Sequence, residues 1–146
     1  PYRIRVSGRT KHHINVFGEE LMVENTDQAI AKACQLTQTE IIDYTVAPIF
    51  MDGQEKGAHE WMIEFKQNPT DLVHFQKILD DTIQSLNSDY EAKRYNNMTL
   101  NPLVINLARK DLFYDWLKER NKLGGQHKIP RLSNQREYLE QLKNLQ

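Results

Sequence analysis

The residues best suited to chemistry are Lys122-Leu123-Gly124-Gly125-Gln126-His127-Lys128-Ile129-Pro130-Arg131-Leu132, where a glycine pair leads into one lysine and a stiff Ile-Pro-Arg tail. Glycine lets the backbone take positive φ and approach a ligand closely, and proline stiffens the chain beyond it. Lysine carries a compact charge on a long stem, which suits a phosphate. The stretch reads as a lysine on a swinging arm. The same residue types also build ordinary exposed loops, so residue chemistry alone leaves both readings open.

Other candidates are weaker. Lys11-His12-His13 suggests a metal site, but neighbouring residues on a strand point to opposite faces and do not easily share one ion. No metal site is expected. Cys34 is the only cysteine; with no partnered base it reads as a small core residue rather than a nucleophile, and as a weak sign of a reducing compartment. His127 beside Lys128 suits either a base for an incoming amine or an exposed loop histidine. The charges of Asp89-Tyr90-Glu91-Ala92-Lys93-Arg94 have the spacing of exposed helix pairs.

These residues must be positioned by a chain of 146 residues, which is about one domain with a real core. Nineteen basic residues against 20 acidic ones give a net charge of −1, so no global field favours nucleic acid or an anionic membrane. No apolar run reaches spanning length and no signal-peptide pattern is visible. The expectation is a cytoplasmic protein with neither a nucleic-acid nor a membrane partner. Because the chain opens on Pro1 rather than methionine, it reads as a fragment.

Alternation at Tyr2, Ile4 and Val6 predicts a strand that ends at Gly8, and a second strand is expected over Ile14 to Phe17. Asn25 and Gln28 predict a capped helix to about Gln38, with Ala29, Ile30, Ala33, Cys34 and Thr37 on its buried stripe. Ile42 to Met51 and Ala58 to Lys66 flank a turn-rich segment and predict an antiparallel hairpin. In its second strand Trp61, Ile63 and Phe65 face one way and Glu60, Met62 and Glu64 the other, so one face is expected to pack on helices. Thr70 is read as the cap of a long helix running through Leu72, Phe75, Leu79, Ile83, Leu86 and Tyr90. Pro102 to Ala108 reads as a strand, followed by a helix carrying Phe113, Trp116 and Leu117, and by a terminal helix capped at Ser133 or Asn134. The order predicts an α+β fold, a mostly antiparallel or mixed sheet with helices packed on it.

Gly8-Arg9-Thr10-Lys11, followed by Ile14 and Gly18, resembles the hinge of adenylate-forming enzymes. Together with Leu86-Asn87-Ser88-Asp89-Tyr90-Glu91-Ala92-Lys93-Arg94 and Gly124 to Leu132, it is similar to the auxin-responsive (Gretchen Hagen three type) acyl acid amido synthetase family, in a bacterial form. The resemblance runs from Tyr2 to about Leu142. It implies that residues 1–146 are the single mobile C-terminal domain of a larger ligase, with hinge and first strands over 1–18, the glycine and lysine loop over 122–132 and a terminal helix over 133–146. A large N-terminal domain would lie outside this sequence. The family forms an acyl adenylate from a carboxylic acid and ATP, then lets an amino acid amine take the acyl group.

By that resemblance Arg9 and Lys11 are hinge residues, Lys128 is the catalytic lysine bridging carboxylate and α-phosphate, and Gly124 and Gly125 free the loop. Gln126 and Arg131 are candidate phosphate or carboxylate contacts. ATP with Mg²⁺ is expected in the full-length enzyme, with none tightly bound by this fragment. The partners would be the protein's own N-terminal domain and small carboxylic acid and amino acid substrates. Where many adenylate-forming enzymes carry a Glu-x-Glu pair, this chain has Asn25-Thr26-Asp27 after Glu24; neither Glu24 nor Asp27 receives a catalytic role. The alternative from another class is a self-contained α+β interaction module without catalysis, docking through a sheet edge or helix face. A nucleic-acid module on the Arg3/Arg5 strand is opposed by the charge balance.

Overall fold

A computed structural model describes residues 13–53, 55–122 and 128–146. The expected Tyr2 to Val6 strand and the Gly8 turn lie outside the described residues. The β-rich hairpin forms as its alternation demands: β3 (Ile41–Ile49) pairs antiparallel with β4 (Ala58–Phe65), Tyr44 opposite Ile63 and Val46 opposite Trp61. A short strand, β5 (Val104–Leu107), then lies parallel to β4 on its other side. A parallel neighbour needs a long crossover, and α2 (Leu72–Leu86) and α3 (Ser88–Arg94) provide it. Two two-residue strands, β1 (His13–Ile14) and β2 (Leu21–Met22), make a separate small ribbon ahead of α1 (Val23–Thr37). A short 3-10 turn (Tyr95–Asn97) follows α3, and α4 (Leu112–Lys122) and α5 (Glu137–Leu145) complete the described elements.

β4 is buried along its whole length. Its Trp61, Ile63 and Phe65 face a core shared with Ala29, Ile30 and Ala33 of α1 and Phe75, Leu79 and Ile83 of α2. Met62 faces a second core with Leu112, Phe113 and Trp116 of α4 and Leu139 and Leu142 of α5. The alternation is right, but the second face meets helices instead of water. Glu64 accepts hydrogen bonds from the backbone N–H of Asp111 (2.8 Å) and Phe113 (3.3 Å) at the start of α4, supplying acceptors for donors that a helix start leaves unpaired. Glu60 receives Arg136 at 2.8 Å, Lys143 at 2.6 Å and Asn106 at 2.8 Å.

Burial pushes the Glu60 carboxyl upward, but hydrogen bonds from Lys143, Asn106 and Arg136 outweigh it and hold the group below its ordinary value. A carboxyl depressed in the folded state contributes stability above its unfolded value and loses it as pH falls through the folded value. Glu60→Gln is therefore expected to be less stable than the parent at neutral pH. The difference should shrink as pH drops below the ordinary glutamate value of 4.5, which urea unfolding across a pH series would measure.

Several boundaries differ from the sequence expectations for local reasons. The strand expected over Ile14 to Phe17 stops at Ile14, because a turn comes next in which Gly18 takes a φ of 82° and its N–H bonds the Asn15 carbonyl. α1 starts at Val23, before Asn25, whose side chain instead accepts the Met22 N–H at 3.0 Å. α2 is capped by Asp71, which accepts the His74 N–H, rather than by Thr70. The long helix also breaks at Asn87, whose side chain accepts the Tyr90 N–H and starts α3. Leu86 is consequently at the surface while Tyr90 remains core. The strand expected over Pro102 to Ala108 narrows to Val104–Leu107. α5 begins at Glu137, not at Ser133 or Asn134, because Asn134 accepts the Asn15 N–H and donates to the His13 carbonyl.

The turn between β1 and β2 is fastened by a pair that composition does not suggest. Glu19 and His59 are both fully buried and meet at 2.6 Å, with the His59 ring stacked on Tyr90. Gly57 makes room beside them, since a Cβ there would run into the Phe17 ring and press on the Ile49 carbonyl. Gly57→Ala is expected to cost about 1–3 kcal/mol by overpacking, seen as a lower urea midpoint with an unchanged slope.

Candidate functional site around Lys128

The tail that carries Lys128 is held by β3. Beyond the lysine, Ile129 is buried in the second core, the Pro130 carbonyl accepts the Thr45 hydroxyl at 2.8 Å, and the Arg131 carbonyl accepts the Val46 N–H at 2.8 Å. Leu132 bridges Val46 in parallel, and the Ser133 N–H returns to the Val46 carbonyl at 3.1 Å. From Arg131, three residues after Lys128, the chain thus runs along the β3 edge and bridges it at Val46. On its C-terminal side the lysine is held to β3 by these bonds, and its side chain is exposed.

Lys128 borders a cleft of about 200 Å³ whose walls include Ile42, Phe113, Trp116, Leu117 and Ile129, with Asp43 at its edge. Burial pushes the Asp43 carboxyl above its ordinary value; the Tyr44 N–H and the Arg131 and Lys128 charges pull it back only in part. The ammonium therefore has a nearby acid that is partly withdrawn from water. An exposed cation on a held backbone can neutralise a phosphate or carboxylate brought to it without transferring a proton.

Arg131 is already engaged. Its guanidinium pairs with Asp27 at 2.8 Å, approaches Asp43 at 3.8 Å and lies over the Tyr44 ring at 5.1 Å from its centre. The Tyr44 hydroxyl donates to the same Asp27 carboxylate at 2.6 Å and bonds Thr26 at 2.8 Å. Burial, then the hydrogen bond to Asp27, raises the Tyr44 phenol far above its ordinary value. In this structure the carboxylate that Arg131 contacts is the chain's own.

Of the residues singled out in the sequence, the structure brings Lys128 and Arg131 onto one held tail. Arg9, Lys11, Gly124, Gly125 and Gln126 lie outside the described residues, as do His12 and His127. Asp27, Asp43, Tyr44 and Thr45 complete the surroundings, and the sequence alone does not point to them. Asp27 and Arg131 stand 104 positions apart, and no local pattern pairs them. Cys34 is partly buried against the first core, and burial raises its thiol. Among the described residues no group of three His, Cys, Asp or Glu side chains could hold a metal ion, and no helix is long and apolar enough to cross a membrane.

A mixed sheet with helices on both faces, and a lysine rooted at its edge, places the chain among α+β domains whose candidate chemistry sits at a rim rather than in a closed cavity. Residues 24–137 match the model of the GH3 family C-terminal domain, and the chain belongs to that family. Among solved structures, AtGH3.15 acyl acid amido synthetase in complex with 2,4-DB superposes with a TM-score of 0.70 at 17% identity, covering 92% of this chain and 26% of that one. A structure of GH3.15 acyl acid amido synthetase gives a TM-score of 0.67 at 19% identity over 92% of this chain and 24% of that one. The chain therefore spans about a quarter of the length of either synthetase. No curated protein matches it in sequence.

Proposed function

We propose that this chain serves as the C-terminal domain of an ATP-dependent acyl acid amido synthetase, working against an N-terminal domain of the same protein. Membership of the GH3 family supports the reading, and the exposed Lys128 on its held tail is the observation that carries it. In the first half-reaction a carboxylate oxygen attacks the α-phosphorus of ATP and pyrophosphate leaves. In the second, an amino acid amine attacks the acyl carbon and AMP leaves. Lys128 lies against the carboxylate and α-phosphate in the first step and offsets the charge that builds there. Mg²⁺ enters with ATP.

The domain turns between the two steps about a hinge at Arg9 and Lys11. In this reading Gly124 and Gly125 have the proposed role of letting the chain before Lys128 move, and Gln126 the proposed role of a contact to substrate oxygens. Isolated, the domain is expected to be inactive. The test is pyrophosphate exchange into ATP across a panel of carboxylic acids, comparing the full-length protein with residues 1–146 alone. Exchange by the intact protein only, followed by amide formation when amino acids are added, supports the reading. Absence of exchange with every acid, from a folded full-length protein, favours a docking module without catalysis.

A further inference from the structure

We infer that Asp27, Tyr44 and Arg131 form a clasp that fixes where the Lys128 ammonium is delivered, making all three positioning residues for adenylation; the inference rests on the function proposed above. Four observations converge on the clasp. The Arg131 guanidinium is taken up by Asp27 at 2.8 Å and by the Tyr44 face, so its charge is committed within the chain. Asp27 is itself oriented by the Tyr44 hydroxyl at 2.6 Å, and Tyr44 is anchored in the core against Trp61, ring centres 5.1 Å apart. The Arg131 backbone carbonyl is bonded to Val46, so both the backbone and the side chain of this residue hold the tail to β3. Only Ile129 and Pro130 separate the clasp from Lys128, and both are themselves held.

The physical consequence is a short lever. A planar guanidinium that stacks and pairs at once holds its position more tightly than an ammonium on a flexible stem. An error of about 1 Å at a catalytic group costs on the order of 10²-fold in rate. Ile129 and the Thr45 bond to Pro130 hold the backbone beside the lysine, and the clasp fixes the direction in which that backbone leaves β3. Releasing Arg131 is expected to move the ammonium by that order while the lysine residue is kept. The lost rate should therefore appear in kcat for adenylation, with the KM values for ATP and acid nearly unchanged, because the clasp residues are engaged with one another and by this inference touch neither substrate.

The test uses the full-length protein carrying Arg131→Ala, Asp27→Asn, Lys128→Ala and the Arg131→Ala/Lys128→Ala pair. Arg131 and Asp27 are partly exposed, so these variants are expected to fold, and thermal melting checks that they do. Two readouts are taken: pyrophosphate exchange, and hydrogen exchange at the Val46 and Ser133 amides, whose partners are the Arg131 and Val46 carbonyls. The clasp predicts about tenfold weaker protection of those amides in Arg131→Ala, as expected for a local opening. It also predicts an adenylation loss of about 10²-fold that does not add to the loss from Lys128→Ala, since both act through one group.

Unchanged protection, or losses that multiply in the double variant, overturns the clasp while a slow Lys128→Ala leaves the functional reading standing. Full adenylation by Lys128→Ala removes the lysine from the chemistry and overturns the positioning role with it, whereas only absence of exchange by the folded parent protein overturns the functional reading. Asp27→Asn serves as the milder variant, keeping a hydrogen-bonding oxygen and losing the charge. It should fall between the parent and Arg131→Ala in both readouts, and a rate equal to the parent's with full protection counts against the clasp.

Discussion

Replacing Asp80 by alanine is expected to destabilise the domain by about 3–5 kcal/mol, the range found when one partner of a buried charge pair is removed. Asp80 sits on the inner side of α2 and gathers four donors: the Tyr90 hydroxyl, Arg94 Nε, Arg94 Nη2 at 2.6 Å, and Gln84 Nε2 at 2.9 Å. The Arg94 side chain is only 9% exposed, so without Asp80 its guanidinium has little water to turn to. Burial first, and then the Asp80 charge, holds the Tyr90 phenol well above its ordinary value, so that hydroxyl remains a donor at any working pH. Against a total stability of about 5–15 kcal/mol for a domain, the loss is large. Urea unfolding measures it directly. Tyr90→Phe, which removes a single hydrogen bond, should cost about 1 kcal/mol. A loss from Asp80→Ala no larger than that would mean the network carries little and that α3 is held by apolar packing alone.

Lys128→Ala in the full-length protein is expected to slow adenylation by about 10²- to 10³-fold, the usual result of removing one preorganised donor from a developing charge. The root of the side chain is held by Ile129 and by the Thr45 bond to Pro130, so the substitution removes the charge without loosening the tail. The fold should be untouched, because Lys128 is exposed. Pyrophosphate exchange reports the first half-reaction, and aminolysis of a chemically prepared acyl adenylate reports the second. A loss confined to the first step fits a charge placed between carboxylate and α-phosphate. Equal losses in both steps would assign the lysine to substrate binding in general, and no loss in either would remove it from the chemistry.

The hairpin is legible in the sequence because alternation around Trp61 and the turn-rich segment after Met51 are local signals, and both describe the strands found. The helices are legible as stripes, since Phe75, Leu79 and Ile83 recur at helical spacing and are fully buried. Their ends are less so. Asn87 has the same composition whether it continues a helix or caps the next one, and its choice depends on hydrogen bonds to Glu20 and Asn25, which are distant in sequence. Glu60 and Glu64 look like a solvated face until α4 and α5 supply their donors. Arg94 has the spacing of a surface pair and instead reaches Asp80, 14 positions away. At the candidate site Lys128 can be singled out by motif, whereas Asp27, Tyr44 and Thr45 cannot, because only the folded tail brings them to Arg131 and Pro130.

The placement of β4 has a consequence for how the chain reaches this structure. Its antiparallel partner β3 is separated from it only by residues 50–57 and can zip up early, whereas its parallel partner β5 arrives only after two helices have been made. Pairing across such a separation gains nothing until loop-closure entropy has been met. The hairpin with α1 and α2 is therefore expected to form the nucleus, and β5 with α4 to join on the downhill side of the barrier. Substitutions at Val46 or Phe75 should slow refolding, while substitutions at Ile105 or Leu112 should chiefly hasten unfolding.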